Sequence, residues 1–333
     1  MDQTIAQLVI AGKGILAADE SAGTIGKRLA SVDVESTEEI RRSYRNMLFT
    51  TAGLNEFISG VILFEETLQQ KSDGGVPFPK LLAEQGIVPG IKVDKGTVAL
   101  AHFPGDKITQ GLDGLAERLA GYKELGAKFA KWRAVITIGE DLPSTRAIEA
   151  NADTLARYAA VCQEAGIVPI VEPEVLMDGD HTIERCEFVT QEVLETVFHA
   201  LHRHRVIFER MLLKPNMVLP GKDCAVQATP DQVAAATLAC LRRGVPAAVP
   251  GINFLSGGQS ERAASANLNA LNTAPGSRPW QLSFSYARAL QSAALKAWRG
   301  KAENVAAAQQ ALYRRARANG AAQQGKYTTE MEA

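Results

Sequence analysis

Met211-Leu-Leu-Lys-Pro-Asn-Met217 is an apolar, strand-like run with one lysine at its end and a proline directly behind it. Proline has no amide hydrogen and biases Lys214 toward extended geometry, so the strand stops there. Lysine is almost never fully buried without a partner. One reading lets Lys214 curl outward and keep its ammonium in water. The other keeps the amine free of its proton, through desolvation and neighbouring cations, and able to attack a carbonyl. The run alone leaves both open.

The same pattern recurs on either side. Strands are predicted at Gly14 to Asp19, Gly60 to Phe64, Val88 to Asp94, Phe129 to Ile136, Ile167 to Glu174, Ala248 to Leu255 and Gln281 to Tyr286. Helical patterns fall between them: Thr37 to about Thr51, Gly111 to Leu125, Ser144 to Glu164, Ile183 to Arg205 and Thr229 to Gly244, with a polar helix from Glu303 to Asn319 near the end. Thr229-Pro230 is an N-cap followed by an N1 proline. Eight strands separated by helices predict a single α/β domain, a (β/α)8 TIM barrel spanning residues 1–333 with a polar tail from about 320. No Pro/Gly/Ser linker interrupts it, and Pro104 to Lys107 reads as loop.

Composition narrows the function classes. The 333 residues are 46% hydrophobic, enough for a large core, and the net charge of -1 gives no global attraction for nucleic acid or an anionic membrane. No apolar run approaches the ~20 residues of a membrane span, and Met-Asp-Gln opens no signal peptide. Cys162, Cys186, Cys224 and Cys240 lack CxxC spacing, so reduced thiols in a cytoplasmic compartment are expected. His199, His202 and His204 do not share one helical face, so no metal is expected there.

Charge pairs two residues apart share a strand face: Lys92 with Asp94, Lys131 with Arg133, Glu172 with Glu174. With Asp19, Lys214 and Arg288 they fall at carboxyl ends of strands, where barrel chemistry gathers. Lys131 is the expected neighbour that repels a proton from Lys214, and Glu172 and Asp19 offer carboxylates for proton transfer. Ser256-Gly257-Gly258 is read as leaving a strand and entering a helix, an anion site to which Arg288 adds charge. Ser21, Thr24 and Lys92 stand opposite. A substrate anionic at both ends follows.

Leu16-Ala-Ala-Asp-Glu-Ser21, Gly90-Ile-Lys-Val-Asp-Lys-Gly96, Lys131-Trp-Arg133, Val171-Glu-Pro-Glu174, Leu212-Leu-Lys-Pro-Asn-Met217 and Phe254-Leu-Ser-Gly-Gly-Gln-Ser260 together resemble class I fructose-bisphosphate aldolase, over roughly Ala11 to Tyr327. The resemblance implies metal-independent cleavage of fructose 1,6-bisphosphate through a Schiff base on Lys214, with no cofactor. Glu172 would be the acid/base for the carbinolamine, Asp19 would take the C4 hydroxyl proton, and Lys131 would assist. Arg133, Glu174, Asp94, Glu20 and Arg28 would hold the ring of charges. Ser256, Gly257 and Arg288 would bind the C1 phosphate, and Ser21, Thr24 and Lys92, with Lys27 nearby, the C6 end. A cytoplasmic homotetramer is implied, with a phosphorylated sugar as partner and neither nucleic acid nor membrane.

Thr24 stands where serine is frequent and Ala287 where glycine is frequent. The family's tail often ends in a tyrosine that helps protonate the enamine; the last tyrosine here is Tyr327. Activity on fructose 1-phosphate or a seven-carbon bisphosphate is left open. Two other readings use the same residues: a barrel isomerase with Glu172 as base, and a non-catalytic sugar-phosphate-binding protein.

Overall fold

The computed structural model describes residues 1–332. Ten strands occur among them: β1 (Gly14–Ala18), β2 (Ile58–Leu63), β3 (Val88–Lys92), β4 (Thr97–Ala99), β5 (Lys107–Thr109), β6 (Phe129–Ile136), β7 (Val168–Val175), β8 (Leu212–Leu213), β9 (Gly251–Phe254) and β10 (Gln281–Tyr286). All but β4 and β5 run parallel and close into a barrel in the order β1-β10-β9-β8-β7-β6-β3-β2. Ile15 lies opposite Gly60 on one side and Ser285 on the other, which completes the ring.

Alternation along each strand divides the core in two. Ile15, Ala17, Ile62, Val88, Phe129, Val168, Ile170 and Leu212 point inward and fill the lower barrel, with Ile5 and Leu8 of an N-terminal helix, α1 (Asp2–Leu8), closing its foot. Leu16, Ile91, Ala130, Trp132, Val171 and Leu213 belong instead to the larger cluster shared with the surrounding helices. Each buried aliphatic or aromatic side chain contributes about 1.5–3 kcal/mol. The next inward positions above the lower layer are Asp19, Lys131, Glu172 and Lys214, so the period of two that makes the core also delivers the charges.

The helices are α2 (Ala22–Ala30), α3 (Glu38–Phe49), α4 (Glu65–Gln69), α5 (Phe78–Glu84), α6 (Leu115–Glu124), α7 (Thr145–Glu164), α8 (Ile183–Arg203), α9 (Pro230–Gly244), α10 (Glu261–Thr273), α11 (Arg288–Trp298) and α12 (Val305–Gln323). Ser21, Thr37, Ser144, Thr182 and Ser260 each cap a helix by accepting a backbone N–H, and Thr229 forms a reciprocal capping box with Gln232.

Three expectations change. The Pro104 to Lys107 region contributes to an antiparallel hairpin, β4 with β5; its strands are too short to carry a recognisable pattern. The helix after β9 begins at Glu261, so Ser256-Gly257-Gly258 forms a turn before the helix rather than its first residues. The polar helix near the end runs to Gln323 and buries Arg315, Asn319 and Gln323 along one face. These polar groups are satisfied: Arg315 donates to the carbonyls of Ala289 and Glu261, Ser265 donates to Asn319, and Gln323 accepts from the Gly12 amide. The segment read as a tail from about 320 therefore starts inside this packed helix, and Ala333 lies outside the described residues.

Candidate active site

At the carboxyl ends of the strands lies a cavity of about 330 Å³. Lys131, Glu172 and Lys214 form its floor and are 3%, 3% and 4% exposed. Lys131 Nζ stands 2.8 Å from Asp19 Oδ2, 3.1 Å from Glu172 Oε2 and 3.9 Å from Asp94 Oδ2. Lys214 Nζ is 3.2 Å from Glu172 Oε1. Lys92 pairs with Asp94 at 2.8 Å, and Arg133, half-exposed at the mouth, with Glu174 at 3.0 Å. Register produces this ring: Lys131 lies beside Lys92, and Arg133 beside Glu172.

The sequence pairs two mutually repelling ammonium groups. The structure puts a carboxylate between them: Glu172 takes Lys131 on one oxygen and Lys214 on the other. Four cations are thus threaded with four anions, which is how a barrel interior tolerates so much charge. Burial opposes ionisation of Asp19, but Lys131 and then Lys214 outweigh it and hold its carboxyl well below the usual carboxylate range. Burial likewise opposes the charge on Lys131, and Asp19, Glu172 and Asp94 overcome it, holding this ammonium above the ordinary lysine value. Burial pushes the Glu174 carboxyl up, with Arg133 offsetting only part.

Two rims face each other across this floor. On one, Ser256 and Gly257 line the cavity beside Ser285 and Arg288, the latter opening the first turn of α11. A Cβ on Gly257 would stand 2.6 Å from Glu174 Oε1 and 2.8 Å from Leu255 Cδ1, so a larger residue here would have to push these two side-chain ends aside. Gly258 turns the chain with φ +80°. On the other rim Ser21, Thr24, Arg28 and Lys92 line the cavity, with Gly96 and Thr97 from the hairpin side. The Ser21 and Thr24 hydroxyls are 3.1 Å apart. Lys27 is exposed and does not line the cavity.

Glu20 points the other way from Asp19, into a buried cluster. It accepts from Arg28, from Arg45 at 2.6 Å and from Gln291 at 2.9 Å. Arg45 and Gln291 were not legible as site residues. They sit on α3 and α11, far away in the chain, and nothing in their local pattern sets them apart. The same is true of Ser285, whose buried hydroxyl has no hydrogen-bond partner among the described residues.

A model of the glycolytic class I fructose-bisphosphate aldolase family matches residues 1–333. Human fructose-bisphosphate aldolase C is 58% identical over 322 residues, 96% of this chain and 88% of that protein. The non-muscle aldolase of the lamprey Lethenteron camtschaticum is 57% identical over 325 residues, covering 97% and 89%. Among solved structures, a Plasmodium falciparum fructose-bisphosphate aldolase, in complex with TRAP and a small-molecule inhibitor, superposes with a TM-score of 0.96 at 54% identity, covering 98% of this chain and 94% of its own.

Proposed function

The chain belongs to the class I fructose-bisphosphate aldolase family, and on that premise we propose that Lys214 carries the imine while Glu172, Asp19 and Lys131 manage the protons. The reaction is the reversible cleavage of fructose 1,6-bisphosphate to dihydroxyacetone phosphate and glyceraldehyde 3-phosphate through a lysine Schiff base. The observation that carries the assignment is the unbroken buried chain Lys214–Glu172–Lys131–Asp19.

Lys214 Nζ, relieved of one proton by the adjoining Glu172, adds to the C2 carbonyl. Glu172 returns that proton to the oxygen, giving the carbinolamine, then takes a second proton from the nitrogen and passes it to the hydroxyl, which leaves as water, and a protonated imine remains. The C3–C4 bond then breaks. Its electron pair moves toward the imine nitrogen, giving an enamine, and the C4 hydroxyl proton passes to Asp19 as the aldehyde departs. Lys131 keeps Asp19 ionised beforehand and so ready to accept. Protonation at C3 and hydrolysis of the imine release dihydroxyacetone phosphate and restore the amine.

Ser256, Gly257 and Arg288 are assigned to the C1 phosphate, through backbone amides, a hydroxyl, a guanidinium and a helix N-terminus. Ser21, Thr24 and Lys92 are assigned to the C6 phosphate, with Arg28 beside them. Arg133, Glu174 and Asp94 brace the floor. The chain is inferred to act as one domain, since the ring needs β1 and β10 together. Assembly into a homo-oligomer, a tetramer, is inferred from family membership alone. A cytoplasmic location is supported by the free cysteines.

Borohydride added with dihydroxyacetone phosphate is expected to inactivate the enzyme with one label, on Lys214. A label on another residue, or inactivation without one, overturns the assignment. Cleavage is expected to survive chelators, and a strict requirement for divalent metal contradicts the mechanism.

A further inference from the structure

The floor of the cavity explains which groups react but not what aims Asp19. Asp19 lies beyond the last residue of β1, where ladder hydrogen bonds no longer fix the backbone. Lys131 holds its carboxylate from the front at 2.8 Å, and the fixed points for its backbone are behind it. The side-chain amide nitrogen of Gln291 donates to the Ala17 carbonyl at 2.7 Å and to Glu20 Oε1 at 2.9 Å. One NH2 group therefore holds the chain on both sides of Asp19.

The orientation of that amide is forced. Turned over, it would set its oxygen against a carbonyl and a carboxylate, two groups that only accept. As it stands, its oxygen takes the Tyr44 hydroxyl at 3.1 Å. Arg45 closes the arrangement by donating to the second oxygen of Glu20 at 2.6 Å. Gln291, Arg45 and Tyr44 are at most 2% exposed, and Tyr44 and Gln291 border a cavity of about 150 Å³ shared with Arg28 and Arg288. Gln291 also lies one turn along α11 from Arg288, so the same side chain joins the segment bearing Asp19 to the helix that opens with the phosphate-rim arginine.

We propose that Gln291 is a positioning residue for the cleavage step: it brackets Asp19 through Ala17 and Glu20, with Tyr44 and Arg45 holding it in register. The inference rests on Asp19 being the proton acceptor. Glu172 on β7 and Lys214 just after β8 make no hydrogen bond to Gln291, Tyr44 or Arg45 and meet Asp19 only through Lys131, so imine formation is expected to depend on this network far less than cleavage does.

Gln291→Met keeps the shape of the side chain and removes every hydrogen bond it makes. Cleavage of fructose 1,6-bisphosphate is expected to fall in kcat by about 10- to 100-fold, the cost of misplacing a reacting group by a fraction of an ångström to an ångström. Borohydride trapping of dihydroxyacetone phosphate on Lys214, at saturating ligand, is expected to stay within about twofold of wild type, since that step needs no aimed Asp19. Tyr44→Phe, which removes only the support of the Gln291 oxygen, is expected to show the same split at about threefold. Unchanged cleavage, or equal loss of cleavage and trapping, overturns the proposal. If Gln291→Met does not fold, Tyr44→Phe decides on the same criterion. Asp19→Asn separates the layers: if it still cleaves normally, the acceptor reading itself has failed. If it traps but does not cleave while Gln291→Met cleaves normally, only the bracket has failed.

Discussion

Replacing Lys131 by methionine removes the one cation that faces three carboxylates, Asp19 at 2.8 Å, Glu172 at 3.1 Å and Asp94 at 3.9 Å, and leaves the volume nearly filled. Deleting one partner of a buried ion pair typically costs about 3–5 kcal/mol, because the opposite charge is stranded. Asp94 keeps Lys92 and Glu172 keeps Lys214, so the stranded group is Asp19. Its response to pH gives the test its sign. In the wild type its carboxyl is held low, so in acid the unfolded chain binds more protons than the folded one. Stability from this group is then fully present above the unfolded carboxylate range, about pH 4, and is lost as pH falls. In Lys131→Met, burial is opposed only by Lys214 and Lys92, and the folded value is expected to rise above the unfolded one, so that the folded state holds the extra proton. Stability then declines as pH rises above about 4, by up to about 1.4 kcal/mol per unit, until the carboxyl ionises. Denaturant unfolding at pH 5 and pH 8, at fixed protein concentration, is expected to show a smaller deficit at pH 5 and the full ~3–5 kcal/mol at pH 8. A deficit below about 1 kcal/mol that is equal at both values refutes the account of the floor as a neutralised lattice.

Other perturbations read the rims and the outer shell. Gly257→Ala pushes a methyl against Glu174 and Leu255, and KM for the bisphosphate is expected to rise about tenfold in steady-state assays; an unchanged KM means the turn gives way. Lys92→Met is expected to lower kcat/KM on fructose 1,6-bisphosphate at least tenfold more than on fructose 1-phosphate, whereas Arg288→Ala lowers both alike; the reverse order exchanges the two phosphate assignments. Arg315→Met removes donors to Ala289, Glu261 and Ser265 together, and thermal unfolding is expected to show a loss of about 2–4 kcal/mol; a shift within error places no energy in that helix face.

The barrel was legible because its strands obey one simple rule. Phe129, Lys131 and Arg133 share a face, as do Val168, Ile170, Glu172 and Glu174, so reading every second residue yields both the packed lower layer and the ring above it. Lys131-Trp-Arg133 shows the rule at its clearest, with the buried Trp132 pointing out toward α7 and its neighbours pointing in. Local order fails where contacts are distant. That Glu172 would separate the two lysines depends on how far each side chain reaches across three strands. Arg45 and Gln291 meet Glu20 across intervals of 25 and 271 residues, and neither stands in an unusual stretch. The last helix reads as polar, but its packed face was not legible: apart from Leu312 its buried side is built from alanine, arginine, asparagine, glycine and glutamine, so no apolar stripe marks it.

The contact between Gln323 and Gly12 and the pairing of β1 with β10 join segments far apart in the chain. During synthesis β1 emerges long before β10, and it has no second neighbour until Gln281 to Tyr286 has followed. At about 5–20 residues per second that wait is on the order of tens of seconds. For that interval Gly14-Ile-Leu-Ala-Ala18 presents an open, uncharged edge, the kind of surface that invites pairing with another nascent chain. A ribosome-bound fragment ending before residue 280 is the species on which a holdase chaperone has most to act, and release of β10 ends its need.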